Sequence, residues 1–356
     1  VSGVKVALNE SYAKVTASQT AYIENVGIEA DSVSVSTAIN DYVETGAVAE
    51  VGSSGAGPGV SISFISGTIS LAQAIVDAKS HAYITSASLA VNGAVSIETK
   101  ARSYANADIL QSQYSVSVVS VSLLATSAEA RGDYAAYLDS TGAALAVGSL
   151  NVTTVYYATS FAATGAAGGL GVSLVDVTGN VAAASNNVQA ASYLTGSGSM
   201  TSSGSVSVLT EGYARSEALG RTHSFSVSLA NLAVNVVVAT LNVDQSAYID
   251  MDGSLDILGG SLSVRSEIYS TGDFGKAVAT VGGSGGKGNT GVSLSLIGVT
   301  VNEAVSWALS SNEAYIAGDG DISADSITVK AKTVSESDAS ALKSFADEIV
   351  TVRMLS

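Results

Sequence analysis

The sequence has no cysteine, a single proline (Pro58) and only two histidines (His81 and His223) in 356 residues. Without cysteine there is no disulfide scaffold, no thiolate metal site and no cysteine nucleophile. Charged residues make up 13% and aromatics 6%, which leaves little material for a groove lined with clustered acids and bases. The charge that exists is one-sided: 15 Lys and Arg stand against 31 Asp and Glu, a net of −16. That balance argues against nucleic acid or an anionic membrane as the main partner. No apolar run reaches 18 residues, so no transmembrane helix is expected. No charged segment followed by a hydrophobic core opens the chain, so no signal peptide is expected within these residues. The first residues already lie inside a repeated unit, and the chain reads as a segment or mature piece of something longer.

What is abundant is small, apolar and β-branched. Hydrophobic residues reach 47% and glycine numbers 36, a composition too apolar and too weakly charged for disorder. It is organised as a repeat, which overrides the domain count that length alone suggests. An apolar–small–apolar phrase reads Val60-Ser61-Ile62-Ser63, Val116-Ser117-Val118, Val172-Ser173-Leu174, Val227-Ser228-Leu229 and Val292-Ser293-Leu294-Ser295, with Val1-Ser2 opening a weaker copy. A second landmark centres on Tyr22, Tyr83, Tyr137, Tyr193, Tyr248 and Tyr315, each following Ala or Ser and preceding Ile or Leu. A third, such as Val33-Ser34-Val35 or Leu262-Ser263-Val264, follows 11 to 14 residues after each tyrosine. Three landmarks in one order, six times, divide the chain into units 1–59, 60–115, 116–171, 172–226, 227–291 and 292–356, together one array.

The units alternate in kind. Units one, three and five end in glycine-rich stretches (Gly52–Gly59, Gly165–Gly171 and Gly282–Gly291), and the even units do not. The true period on this reading is a pair of units. Within each unit the pattern is period two, as where Val292, Leu294 and Leu296 alternate with Ser293 and Ser295, and this predicts strands. The best helix candidate is the tail from Ala339 to Ser356, although Ile349-Val350-Thr351-Val352 also reads as β.

Strands that bury one face and close their edges in a repeat do so by stacking each turn on the last. The expected fold is an all-β, repetitive parallel β-solenoid, or β-helix. Two coil geometries compete. A unit of three turns of roughly 19 residues gives about 18 layers and an object about 86 Å long. One wide turn per unit gives about six layers and about 29 Å. The shorter turn is the preferred expectation.

The phrase Gly320-Asp321-Ile322-Ser323-Ala324-Asp325-Ser326-Ile327-Thr328-Val329-Lys330-Ala331 resembles the repeats of large secreted bacterial β-helix adhesins, of the filamentous-haemagglutinin, leukotoxin-like and autotransporter-passenger type. Gly253–Val264 and Gly198–Val208 give the same reading less cleanly. The resemblance covers most of the chain through degenerate motifs, and the odd–even alternation departs from a uniform adhesin repeat. It implies a right-handed parallel β-helix, secretion, a cell-surface location and an adhesive or structural role, and it supplies no catalytic residue.

Several motifs invite a sharper chemistry. Gly283-Ser284-Gly285-Gly286-Lys287-Gly288 matches a dinucleotide loop and Gly282-Gly283-Ser284-Gly285-Gly286 a nucleophile elbow. Both need a helix to follow, and a β phrase follows instead. Asp250 and Asp252, and Asp319 and Asp321, set carboxylates two apart as a tight calcium turn does, without an EF-hand loop or a calcium-binding nonapeptide repeat. Solvated turn carboxylates are the plainer reading, and Ca²⁺ is the only cofactor worth testing. Asn9-Glu10-Ser11 and Asn151-Val152-Thr153 match glycosylation sequons, which a serine-rich chain produces by chance. Trp307 stands alone, and a core or interface role is its default. The six landmark tyrosines read as a buried or half-buried stack. The sharper alternative is an exposed aromatic row for lateral contacts or glycans.

The functional expectation is a non-enzymatic extracellular filament or surface fibre, whose partner is itself or neighbouring repeats of a longer chain, with surface glycans as a further ligand. A polysaccharide lyase or hydrolase on the same fold, or an outer-membrane barrel, are the alternatives.

Overall fold

The computed structural model describes residues 2–40, 46–52, 61–221, 225–270, 274–281 and 292–341. These residues form strands and turns, without a helix among them, and so none long and apolar enough to cross a membrane. The strands pair in parallel from unit to unit. This is the all-β parallel solenoid expected from the repeat.

The register overturns the preferred coil geometry. Tyr22 pairs with Tyr83, Tyr83 with Tyr137, Tyr137 with Tyr193, Tyr193 with Tyr248 and Tyr248 with Tyr315. One unit therefore makes one wide circuit. The three landmarks are three stations on a single coil, not three equivalent rungs. Six layers at about 4.8 Å give a stack about 29 Å deep, the shorter of the two lengths.

Each coil is flattened. In the second, an outgoing arm runs through Ser61–Thr85 and the chain turns at Ser86, which sits at positive φ. A return arm follows from Ser88, within a strand that continues through Asp139 into the next coil's outgoing arm. The alternation expected from the sequence is plain in burial. Ala72, Ala74, Val76, Ala78, Ala82 and Ile84 point inward, as do Leu89, Val91, Val95, Ile97, Ala101, Ala105, Ala107 and Ile109 from the return arm. Stacked arms make two facing walls.

Two cores fill the space between the walls. The one nearer the turn is aliphatic, built from ladders such as Val35, Ile97, Val152, Val208 and Val264. The other is largely alanine, with Ala74, Ala128, Ala184 and Ala239 in one row. Small residues there let the walls approach closely. A seam of hydroxyls crosses between the cores. Thr99, Thr154 and Thr210 donate through Oγ1 to the carbonyls of Ala135, Ala191 and Ser246 in the facing wall. Ser80 Oγ donates to Thr37 Oγ1 at 2.8 Å. These bonds satisfy polar groups that burial would otherwise leave costly.

Glycine marks where backbones of successive layers touch. A Cβ on Gly198, Gly253 or Gly320 would lie 2.0 Å from a carbonyl oxygen of the layer before, on Ala143, Gly198 and Gly253 respectively. These are the glycines that open the phrases Gly198–Val208, Gly253–Val264 and Gly320–Ala331, so glycine at that place has a steric cause.

The glycine-rich stretch of unit three lies within a paired strand, Ala144–Gly196. Most of Gly52–Gly59 and all of Gly282–Gly291, with Pro58 and His223, lie outside the described residues. So does the tail beyond residue 341, while Glu336–Ala341 before it is a strand.

Candidate functional site: tyrosine ladders and charged rungs

The six landmark tyrosines stand on the outer face of the outgoing wall, opposite to Ala82 and Ile84. Neighbouring rings are stacked with centroids 5.3, 4.7, 4.6, 4.9 and 4.9 Å apart and planes within 13°. The faces of the inner rings are covered by each other, so their edges and hydroxyls meet solvent. Tyr22, at one end of the row, is 57% exposed. Burial first, and neighbouring rings and carboxylates second, push the hydroxyls of Tyr137, Tyr193 and Tyr248 above the usual phenol value. The row is the half-buried stack of the plainer reading, presented on the surface where the sharper one placed it.

A second ladder escaped the sequence reading. Tyr157, Tyr213 and Tyr269 stack on the return wall at 4.6 and 5.2 Å, with Phe274 edge-on to the first two. Cations close both ends: the Arg102 guanidinium lies 4.4 Å from the Tyr157 ring centre and Lys332 Nζ 5.3 Å from that of Tyr269. Such contacts are favourable because the ring face carries negative charge. The spacing of Tyr157, Tyr213 and Tyr269 matches the unit period and was the available signal.

Inside the alanine core, Tyr134 and Tyr156 stack at 5.7 Å. Tyr134 shares a 2.5 Å hydrogen bond with Ser103 Oγ, and Tyr156 OH donates to Gln245 Oε1 at 2.8 Å. Gly132 and Gly212 make room for them, since a Cβ there would meet the Tyr134 ring and the Tyr156 hydroxyl. Burial raises the Tyr134 hydroxyl to about 12. Both phenols are structural plugs, held neutral.

Charged groups lie in rungs along and between layers. Among the described residues the least exposed carboxylate is Glu267, held by Arg265 Nη2 at 2.6 Å, Lys330 Nζ at 3.0 Å and the Tyr269 hydroxyl. Burial alone would raise its pKa; the three hydrogen bonds outweigh that and lower it to about 2. His81 Nε2 and Lys79 Nζ both meet Asp133, at 3.0 and 3.2 Å. Burial opposes ionisation of Asp133, but these two partners hold its carboxyl below the ordinary value. His81 is thus tied structurally to Asp133 across two layers.

The proposed calcium carboxylates sit at the turns of the last two layers. Asp250 and Asp252 flank buried Met251 and are exposed. The backbone of this turn is used between layers, Asp252 N–H donating to Gly196 O and Asp321 O accepting from Leu255 N–H. Among the described residues no three His, Asp or Glu side chains come together as a metal-holding group. Of the sequon asparagines, Asn9 donates to Ser70 Oγ and Asn151 accepts from Thr153 Oγ1, both inside strands. Trp307 is 53% exposed on the last coil, opposite Thr240, so it is not a core residue of these coils. A shallow groove beside Asn92, Gly148 and Ser203 follows the turns between the two parts of the return wall. The loop matches 282–288 lie outside the described residues.

Compared with known proteins, the chain matches no family model, no curated protein and no solved structure.

Proposed function

We propose that this chain is a non-enzymatic segment or subunit of an extracellular structural or adhesive fibre, at the cell surface or secreted, built by continued β-stacking and by lateral contacts. The observation that carries the reading is the one-coil-per-layer register. Every layer offers the next the same backbone and nearly the same side chains, in rows such as Tyr22 to Tyr315. Such an array extends by adding layers, either further repeats of a longer chain or a second copy, because each layer contacts only its neighbours. Catalysis asks for different groups converging on one point; these rows repeat one group at about 4.8 Å steps.

A further layer stacked on the last described coil would bury its edge as the inner layers are buried. Val329 is 43% exposed, while Val264, its partner one layer below, is fully buried. The all-parallel register speaks against the membrane-barrel alternative, whose strands alternate in direction. Surface glycans would meet the edges of the inner tyrosines and the free face of an end ring. The resemblance to secreted β-helix adhesins supports the same role.

The test is electron microscopy of the purified chain over a range of concentrations, paired with incubation on a panel of acidic polysaccharides. Rods that lengthen in steps of about 29 Å are the expected result. Particles of one length at every concentration, with shortening of any polysaccharide, overturn it in favour of a carbohydrate-active β-helix.

A further inference from the structure

The first ten or so residues of each outgoing arm break the rule that the rest of the wall follows. In the second coil the ladder pairing skips Phe64, and Ser63 before it and Ser66, Thr68 and Ser70 after it share the inward side with Ala72 and Ala74. The outward side carries Ile62, Ile65, Ile69 and Leu71, all exposed. The same inversion recurs along the stack, with Ala7, Leu124 and Ala233 as apolar members of the inward rows. Inward stand Asp176 and the row Asn180, Asn235 and Asn302, whose side-chain amides are bonded in series at 2.6 and 2.7 Å. Burial raises the Asp176 carboxyl, with an opposing hydrogen bond from Ser120. Outward stand Val4, Ile65, Val175 and Ile297 in one row, and Leu8, Ile69, Leu123, Val234 and Val301 along another, among the exposed large hydrophobics.

The outer face is therefore a sheet of aliphatic ridges. From the second to the fifth coil its outward positions bear no charge, in a chain of net charge −16. Six strands at about 4.8 Å by ten residues at about 3.3 Å give about 950 Å². The largest apolar patch on an ordinary monomer is about 300–600 Å², and a standard stable interface takes about 800 Å² from each partner. The area fits one partner of equal size, and the ridge spacing of a second copy matches it layer for layer. Two such faces meeting at about 10 Å make a β-sandwich.

We propose that this face is a homodimer interface, on which a second copy of the chain packs its own Val, Ile and Leu ridges. The fibre reading supplies its setting, as the surface that makes the lateral contact; the two fail separately. End-on stacking lengthens a particle, whereas this interface doubles its width at constant length.

The experiment is sedimentation velocity on the full chain, with the triple variant Leu123→Lys, Val175→Lys, Leu232→Lys and the control Gln73→Lys, which lies on the same outer face beyond the apolar strip. Far-UV circular dichroism checks that each folds, since all four side chains point to solvent. The wild type and Gln73→Lys are expected at twice the chain mass of 35.4 kDa at about 10 µM. The triple variant is expected as a monomer, its dissociation constant raised at least 100-fold. A wild-type chain that stays monomeric at about 100 µM overturns the proposal. So does equal association of the triple variant, or a monomer that floats with phosphatidylcholine vesicles, which makes the occupant a lipid surface. Filaments of single width, with no dimer, overturn this interface and leave the stacked fibre standing.

Discussion

Residues 62–71 and 72–84 belong to one strand, share one parallel hydrogen-bonding pattern and alternate with the same period. They dispose of their apolar side chains in opposite directions. Along 72–84 the inward positions are Ala, Val and Ile with the single hydroxyl of Ser80, and the outward ones include Gln73, Asp77 and Lys79; along 62–71 serine and threonine turn inward and isoleucine outward. Apart from the skipped pairing at Phe64, the backbone pairs alike through both stretches. The difference is what stands opposite: a return wall faces 72–84 within the two cores, whereas among the described residues no wall of its own coil stands against the apolar side of 62–71. A period-two pattern thus specifies a strand and leaves open which face is inside.

The largest expected effect sharpens that contrast. Ile97 is fully buried between Val35 and Val152 in the aliphatic core. Ile97→Ala removes its packing and leaves a cavity, at a cost of about 2–5 kcal/mol. Ile65→Ala, on the outward side of the strip, changes the stability of the monomer by less than about 1 kcal/mol, although it deletes the same atoms. Urea unfolding of the two variants at low micromolar concentration measures both. Equal losses would show that the strip is packed against something within its own chain and would break the comparison.

Next in size is the layer contact at the turns. A Cβ on Gly253 would sit 2.0 Å from Gly198 O and 2.7 Å from Ser197 O, both backbone atoms that cannot swing away. Gly253→Ala therefore forces the two layers apart, at about 1–3 kcal/mol for an overpacked site. Gly259→Ala is the comparison, because a Cβ there meets open space. Its own positive φ of 88° adds a backbone strain of about 1–2 kcal/mol without any clash. Thermal unfolding is expected to rank Gly253→Ala as the more damaging, and amide exchange to show the loss concentrated in the coils on either side of it.

These contrasts explain how far the sequence could be read. The repeat, the strand class and the tyrosine register were legible, because each depends on the same residue type recurring at the unit period. The number of turns per unit was not. Val116-Ser117-Val118, Tyr137 and Leu150-Asn151-Val152 looked like three rungs, but they are the outer strip, the outgoing wall and the return wall of one circuit. Their distinct chemistry was the clue, since stacked rungs would carry interchangeable residues. The inverted polarity of 62–71 was hidden for the reason given above. The ladder of Tyr157, Tyr213 and Tyr269 was hidden because Tyr157 follows another tyrosine, Tyr156, whose ring goes to the opposite face. The turn carboxylates Asp250, Asp252, Asp319 and Asp321 were found by spacing along the chain, which says nothing of the oxygens a third ligand would bring.

The smallest effect concerns how polar groups on the outer face gain burial without apolar neighbours. Glu267 does so through Arg265, Lys330 and Tyr269, drawn from two layers. Its folded pKa, about 2, lies below the ordinary 4.5, so the unfolded chain takes up the proton first. The stabilisation is complete above about pH 4.5 and is lost as the pH falls toward 2. Melting temperatures measured from pH 7 down to pH 2 are expected to drop across that window, and to drop less steeply in Glu267→Gln, which keeps the shape and removes the titration. Asp133, also held below its ordinary value, continues to titrate in the variant, so the difference between the two curves isolates the Glu267 rung. Parallel curves would mean that the three hydrogen bonds give this carboxylate no advantage over water.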